Sequence, residues 1–192
     1  MRTLLSLLIV LVVGCDVPMV VADRPFVEPG DEKIMPDLVG VWGATDGSVR
    51  VKIAATDEQM TVAFSAVGGD FGDADPVALT KIRRQVYAQL PADSPKGDGT
   101  QSWYPLRLTV EDADDITVEQ LCSAWFKGQS PESAGLRFTV LDRQDDKADP
   151  CMSGSVLLQA STPELRRWLR KHRSTDGLFG LVAHLRREAS TP

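Results

Sequence analysis

A repeated alternation of apolar and polar residues constrains the fold of this 192-residue chain more than any other feature. Four segments carry an apolar residue at every second position. Their apolar members are Val49, Val51 and Ile53; Met60, Val62 and Phe64; Leu106, Leu108 and Val110; and Leu136, Phe138 and Val140. Successive side chains of a strand point to opposite faces, so this period predicts antiparallel strands with one buried face.

Turn residues separate these segments. Asp46-Gly47 is a hairpin sequence between the first two strands, and the acidic run 112–115 predicts another short connection. Glycine-rich stretches at 68–70 and 93–99 predict longer loops. We therefore predict a mainly β fold, an antiparallel barrel or strongly curved sheet of about eight to ten strands, which protects its edges by closure.

One helix is predicted before the last strand. Ser161 or Thr162 is suited to cap it, Pro163 fits the first turn, and Glu164 completes a capping box. Its polar surface carries five cations: Arg166, Arg167, Arg170, Lys171 and Arg173. We expect these cations to be candidates for contact with anionic lipid or with an envelope protein, or to form a solvated face that balances an acidic sheet.

The first predicted strand begins Gly40-Val41-Trp42. This resembles the Gly-x-Trp start of lipocalins and lipocalin-like barrels, in which an arginine of the last strand packs across the tryptophan. The resemblance assigns that arginine to Arg186 or Arg187, and we take Arg186 with Gly40 and Trp42 as the motif. It implies a calyx that holds a small apolar ligand.

The amino terminus has the composition of an export signal. The apolar run from Leu4 to Val13 rises about 15 Å as a helix, half of the roughly 30 Å hydrocarbon layer, and therefore does not span it. Val12-Val13-Gly14-Cys15 resembles the lipobox of bacterial lipoproteins, which implies cleavage before Cys15 and a lipid on its thiol. The alternative is an ordinary secretory signal.

The domain prediction follows from this reading. Residues 1–14 are the signal peptide, 15–36 a lipidated cysteine with a proline-rich tether, and 37–190 a single domain. The protein is then exported and anchored to a membrane; the sequence does not specify which membrane this is or on which of its faces the protein lies. Cys122 and Cys151 are predicted to form a disulfide in an oxidising compartment, the alternative being two buried thiols.

The sequence predicts no catalytic residue, metal or cofactor. A formal net charge of −6 argues against nucleic acid as a partner. The leading hypothesis is a non-enzymatic, lipid-anchored envelope protein that binds a small apolar ligand or a partner protein. The second is a structural or interaction lipoprotein with a solid core. The third, a hydrolase, requires polar residues to converge around Cys122, His172 or His184.

Overall fold

Eight strands of the chain close into an antiparallel barrel in the computed structural model of the protein. The structure describes residues 20–28, 30–93, 99–141, 151 and 154–189. The predicted signal peptide and Cys15 lie outside the described residues.

The described strands are eleven in number. They are β1 (Val20–Ala22), β2 (Gly40–Ala44), β3 (Arg50–Ala55), β4 (Met60–Ser65), β5 (Asp75–Ile82), β6 (Gln85–Asp93), β7 (Gln101–Val110), β8 (Asp115–Leu121), β9 (Phe138–Val140), β10 (Val156–Leu158) and β11 (Phe179–Arg187). A 3₁₀ turn, Pro36–Leu38, precedes β2, and the helices are α1 (Ser123–Lys127), α2 (Pro131–Ala134) and α3 (Thr162–His172).

The barrel is a meander in which each strand pairs with the next along the chain. The order is β2-β3-β4-β5-β6-β7-β8-β11, and β11 returns to pair with β2. We call the end at which β2, β4, β6 and β8 finish the upper end, and the opposite end the lower end. The mainly β prediction, including a helix before the last strand, is therefore confirmed.

An insertion between β8 and β11 forms a second layer outside the barrel. It contains α1, α2, β9, β10 and α3. β10 pairs in parallel with β1, and β1 joins the upper part of β7 through the pair Ala22–Trp103. In the described part of the chain, no helix has both the length and the apolarity needed to cross a bilayer.

Two large apolar cores result from this layering. The inner core fills the lower barrel and includes Trp42, Met60 and Leu79. The outer core lies between the outward face of the barrel and the insertion, and includes Phe126 and Trp168. The barrel wall therefore buries apolar residues on both of its faces.

The prediction that residues 15–36 form an extended tether is wrong for the part that the structure describes. Val20–Ala22 is a buried strand, and Phe26 and Val27 are buried in the outer core. The backbone N–H groups of Phe26 and Val27 donate to Gln89 Oε1 at 2.7 and 3.1 Å. Apolar contacts and these bonds outweigh the spacer tendency of the prolines, so this segment is part of the domain.

Candidate functional site

The upper half of the barrel is lined by apolar side chains that are only half-buried. They lie near the upper end or the middle of six strands, where they pack against the inner core; we call them the mouth residues: Ala44, Phe64, Val77, Leu90, Leu106 and Ala183. Strand register places each of them on the inward face. Inward-facing residues keep accessible surface where neighbouring side chains do not cover them, so apolar surface is left uncovered here; we call the space that these residues border the lumen.

The lower end is closed by Trp42 and an arginine. Trp42 is fully buried, and its indole N–H donates to Leu38 O at 2.9 Å. The guanidinium of Arg187 lies 4.2 Å from the centre of the indole ring, a cation–π contact. It also donates to Val39 O at 2.7 Å and Asp37 O at 2.6 Å, which fixes the 3₁₀ turn across the floor.

The choice of Arg186 for this contact is therefore wrong. Arg187 lies directly opposite Trp42 in the β11–β2 register and shares its face. Arg186 points to the other side of the sheet because neighbouring residues of a strand alternate. There it forms an exposed pair with Asp115 at 3.3 Å.

A buried polar pair interrupts the apolar lining of the upper barrel. Gln120 lies opposite Leu106 on the inward face of β8, and its Oε1 accepts a hydrogen bond from the Tyr104 hydroxyl. Burial raises the pKa of Tyr104 well above its usual range. The phenol therefore stays protonated and remains a donor at physiological pH.

A disulfide between Cys122 and Cys151 lies beside this pair, as the sequence predicted. Gly180 is directly opposite Gln120, and a side chain on Gly180 would collide with the sulfur of Cys151. Ser123 Oγ donates to Cys151 O at 3.1 Å. The bridge thus links the insertion to the upper end of β8, and it fits there because glycine at position 180 has no side chain.

The five cations of α3 do not form one surface. Arg166 pairs with Asp31, whereas Arg167, Arg170, Lys171 and Arg173 are exposed. Arg167 and Lys171 line an open groove of about 500 Å³ beside α2, together with Arg137, Trp168 and His172. Glu132 and Glu164 also line it, so its charge is mixed.

The residues considered for a hydrolase have other partners. Cys122 is bonded to Cys151. His172 lies against Trp168 in the outer layer, with the two rings tilted by 31° and their centres 4.7 Å apart. His184 bonds to Thr117 at 3.1 Å on an outward face of the barrel. These three residues do not converge on one cleft.

Tyr104 and Gln120 were missed as candidate residues in the sequence. A pattern for Gln120 was present, because it continues the apolar phase of Ile116 and Val118 on the same strand. A polar residue in such a phase is buried or functional. Its neighbour across the sheet could not be read from the chain, because register depends on pairing.

The comparisons with known proteins do not assign the chain to a family. A scan against protein-family models, a search of curated proteins and a search of solved structures each gave no match.

Proposed function

We propose that this chain is a lipid-anchored, non-enzymatic envelope protein that binds a small apolar ligand in the barrel lumen. The observation that carries the proposal is the set of mouth residues, which face inward and remain half-buried. Ligand sites are concave and mostly apolar, with a few placed polar groups. The upper barrel has this composition.

The lower end supports the same proposal. The 3₁₀ turn, Trp42 and Arg187 seal the floor, so a ligand enters from the upper end. The resemblance of Gly40-Val41-Trp42 to lipocalin-like barrels adds to this reading, since Arg187 covers Trp42 in the manner that the resemblance implies.

Fluorescence titration tests the ligand proposal. N-phenyl-1-naphthylamine, a neutral probe that brightens on leaving water, is added to the purified protein. We expect saturable binding that falls at least tenfold in Ala183→Trp, which fills the mouth. Leu181→Trp is the matched control, because Leu181 lies on the same strand and is 52% exposed.

Two results would refute the proposal: no saturable binding by the wild-type protein, or equal binding by the two tryptophan variants. Ala44→Leu provides a milder filling variant if Ala183→Trp does not fold. Circular dichroism checks the fold of each protein.

The anchor is tested by mass spectrometry of protein extracted from membranes. We expect a mature chain that begins at Cys15 and carries a diacylglycerol, and a Cys15→Ser variant that loses membrane attachment. An unmodified Cys15 in membrane-extracted protein would contradict the lipoprotein proposal and leave the ligand proposal to its own test.

A second candidate function is contact with anionic lipid through α3. The exposure of Arg167, Arg170 and Lys171 on α3, and of Arg173 directly after it, favours this function. Each cation near an anionic surface adds on the order of 1 kcal/mol. Sedimentation with phosphatidylglycerol vesicles, compared with phosphatidylcholine vesicles, tests it; equal binding to both would reject it.

A further inference from the structure

The groove on the outer layer is lined by cations that come from two different elements. It lies between α2 and one face of α3, and its volume of about 500 Å³ is in the range of small-molecule sites. Arg167 and Lys171 are about one helical turn apart on α3, whereas Arg137 reaches the groove from the position before β9. The carbonyl oxygen of Arg137 accepts from Gln159 N at 2.9 Å, so hydrogen bonding between the two chain segments holds the backbone on this side.

These three cations are available for a ligand. Arg137, Arg167 and Lys171 are exposed, and none of them forms an ion pair with a carboxylate in the part of the chain that the structure describes. Arg166 of the same helix, by contrast, pairs with Asp31. The groove therefore presents the cations that the fold leaves without an ion pair.

The two carboxylates of the groove are engaged at the amino-terminal turns of their own helices. Glu164 Oε2 accepts from Ser161 Oγ at 2.6 Å and from Ser161 N at 2.9 Å, and these bonds lower the pKa of Glu164. The pKa of Glu132 is lowered in the same way by its own backbone N–H and by the Ser130 hydroxyl. Among the residues that line the groove, three cations thus outnumber two carboxylates that already have donors.

The cations converge although they belong to different elements. The charges of Arg137 and Arg167 both act on the Glu164 carboxylate and lower its pKa further, so the two guanidinium groups lie near the same point. A ligand placed between α2 and α3 would therefore meet one of them on each side.

His172 adds a nitrogen to the same groove. Its Nδ1 lies 3.0 Å from Trp168 O, and because a carbonyl oxygen only accepts, Nδ1 carries a proton. Nε2 is then the ring nitrogen left for a ligand, and it accepts when the imidazole is neutral and donates when the imidazole is charged. A phosphate monoester, whose second pKa is about 6, offers both a P–OH donor and oxygen acceptors near neutral pH.

We propose that this groove binds a phosphate monoester, carried either by a lipid headgroup or by a small soluble molecule. Arg137 and Arg167 contact the phosphate oxygens from different sides, and Lys171 and His172 Nε2 contact those that remain. A planar carboxylate fills a single arginine fork and would leave the other cations unpaired, whereas three phosphate oxygens engage all of them. The site lies outside the barrel, so it goes beyond the binding of a ligand in the lumen and does not depend on it.

Isothermal titration calorimetry with glycerol 3-phosphate tests the soluble form of the ligand. We expect the wild-type protein to bind it saturably and at least tenfold more tightly than dimethyl phosphate, a diester with one charge. Arg167→Gln and Arg137→Gln should each weaken this binding about tenfold, the size expected for one hydrogen bond between charged groups. Arg170→Gln is the matched control: it removes the same charge from the same helix, but Arg170 does not line the groove.

Sedimentation with vesicles tests the lipid form, in the Cys15→Ser background so that a lipid anchor does not contribute. Vesicles of phosphatidic acid, a monoester, are compared with phosphatidylglycerol vesicles, a diester, at matched surface charge. We expect a preference for phosphatidic acid that Arg167→Gln abolishes and Arg170→Gln retains. This preference identifies a lipid source, and binding of glycerol 3-phosphate without it identifies a soluble one; either result supports the monoester site.

Two results would overturn the site. Equal losses in Arg167→Gln and Arg170→Gln, in each assay that shows binding, would mean that the cations act only as diffuse surface charge. A wild-type protein that neither binds glycerol 3-phosphate nor prefers phosphatidic acid would also overturn it. Both results leave the lumen proposal to its own test with N-phenyl-1-naphthylamine.

Discussion

The inner and outer cores of this protein differ in where their partly buried residues lie. The outer core is rich in aromatic residues: Phe26 and Phe126 have no exposed surface, and Trp168 stacks on Phe126 at 5.8 Å between ring centres. Its partly buried members, such as Trp125 and Phe138, lie in the insertion outside the barrel. The partly buried members of the inner core include the mouth residues, which face the interior of the barrel. Because the barrel wall buries apolar residues on its outward face as well, its stability does not depend on the inner core alone.

The largest expected effect compares one leucine from each core. Leu169→Ala leaves a cavity in a fully buried site, so we expect a loss of about 3–4 kcal/mol in the free energy of unfolding. Leu106→Ala removes a side chain that is only half-buried, so its loss should be smaller, about 1 kcal/mol. Urea denaturation measures both, and equal losses would break the comparison.

The disulfide joins the barrel to the insertion, and its removal should give the next largest loss in the free energy of unfolding. Cys122 and Cys151 are separated by 29 residues, and a bridge of that span contributes about 3–4 kcal/mol in the chain-entropy model. We expect Cys122→Ala/Cys151→Ala to lower the free energy of unfolding by about 3 kcal/mol. Reduction of the wild-type protein should have the same effect, and no difference between the reduced and oxidised proteins would contradict the bridge.

Two neighbouring arginines of β11, Arg186 and Arg187, allow a matched test of the floor of the inner core. Arg187→Met removes hydrogen bonds to three backbone carbonyls and the contact with Trp42, so we expect a loss of about 2 kcal/mol. Arg186→Met removes an exposed ion pair and should change stability by less than about 0.5 kcal/mol. A reversal of this order would show that the floor is not sealed by Arg187.

Replacement of either of two buried tyrosines by phenylalanine should give the smallest change in the free energy of unfolding. The Tyr87 hydroxyl lies in the outer core with no partner among the described residues, so Tyr87→Phe should be neutral or stabilising by up to about 1 kcal/mol. The Tyr104 hydroxyl is hydrogen-bonded to Gln120, so Tyr104→Phe should be destabilising by about 1 kcal/mol.

The pH dependence of the free energy of unfolding gives a second test of the burial of Tyr87. Burial raises the pKa of Tyr87 to about 12 from its ordinary 10.0. The folded state therefore binds the proton more tightly than the unfolded state, and stability falls as the pH rises from about 10 toward 12. Tyr87→Phe should make this loss shallower in urea titrations, and an unchanged slope would contradict the assignment.

The sequence predicted the barrel because a single rule, alternation, governs its strands. The same alternation already places Arg187 in phase with Leu185, and this phase could have replaced Arg186 in the motif. It fails at Leu181, which is exposed, because a bulge between Leu181 and Ala183 shifts the register. The helix α3 was found from its capping box, which is present in the structure.

Other elements have no such local pattern in the sequence. The helices α1 and α2 are five and four residues long, too short for a helical period to appear. Phe26 and Val27 stand among prolines without any period, and their burial depends on Gln89, more than sixty residues away. The pairing of Tyr104 with Gln120 and the partial burial of the mouth residues arise from closure of the barrel, which only the complete set of strands defines.

The early start of β1 limits how far the domain can stand from its proposed anchor. Val20 is five residues after Cys15, and an extended chain covers about 3.3–3.6 Å per residue, so the lipid and β1 would be at most about 18 Å apart. Val21 of β1 packs on Tyr104 at the upper end of the barrel. With a lipid on Cys15, the upper end of the barrel would therefore lie close to the lipid headgroups. A neutral ligand would then pass between the membrane leaflet and the barrel without crossing bulk water.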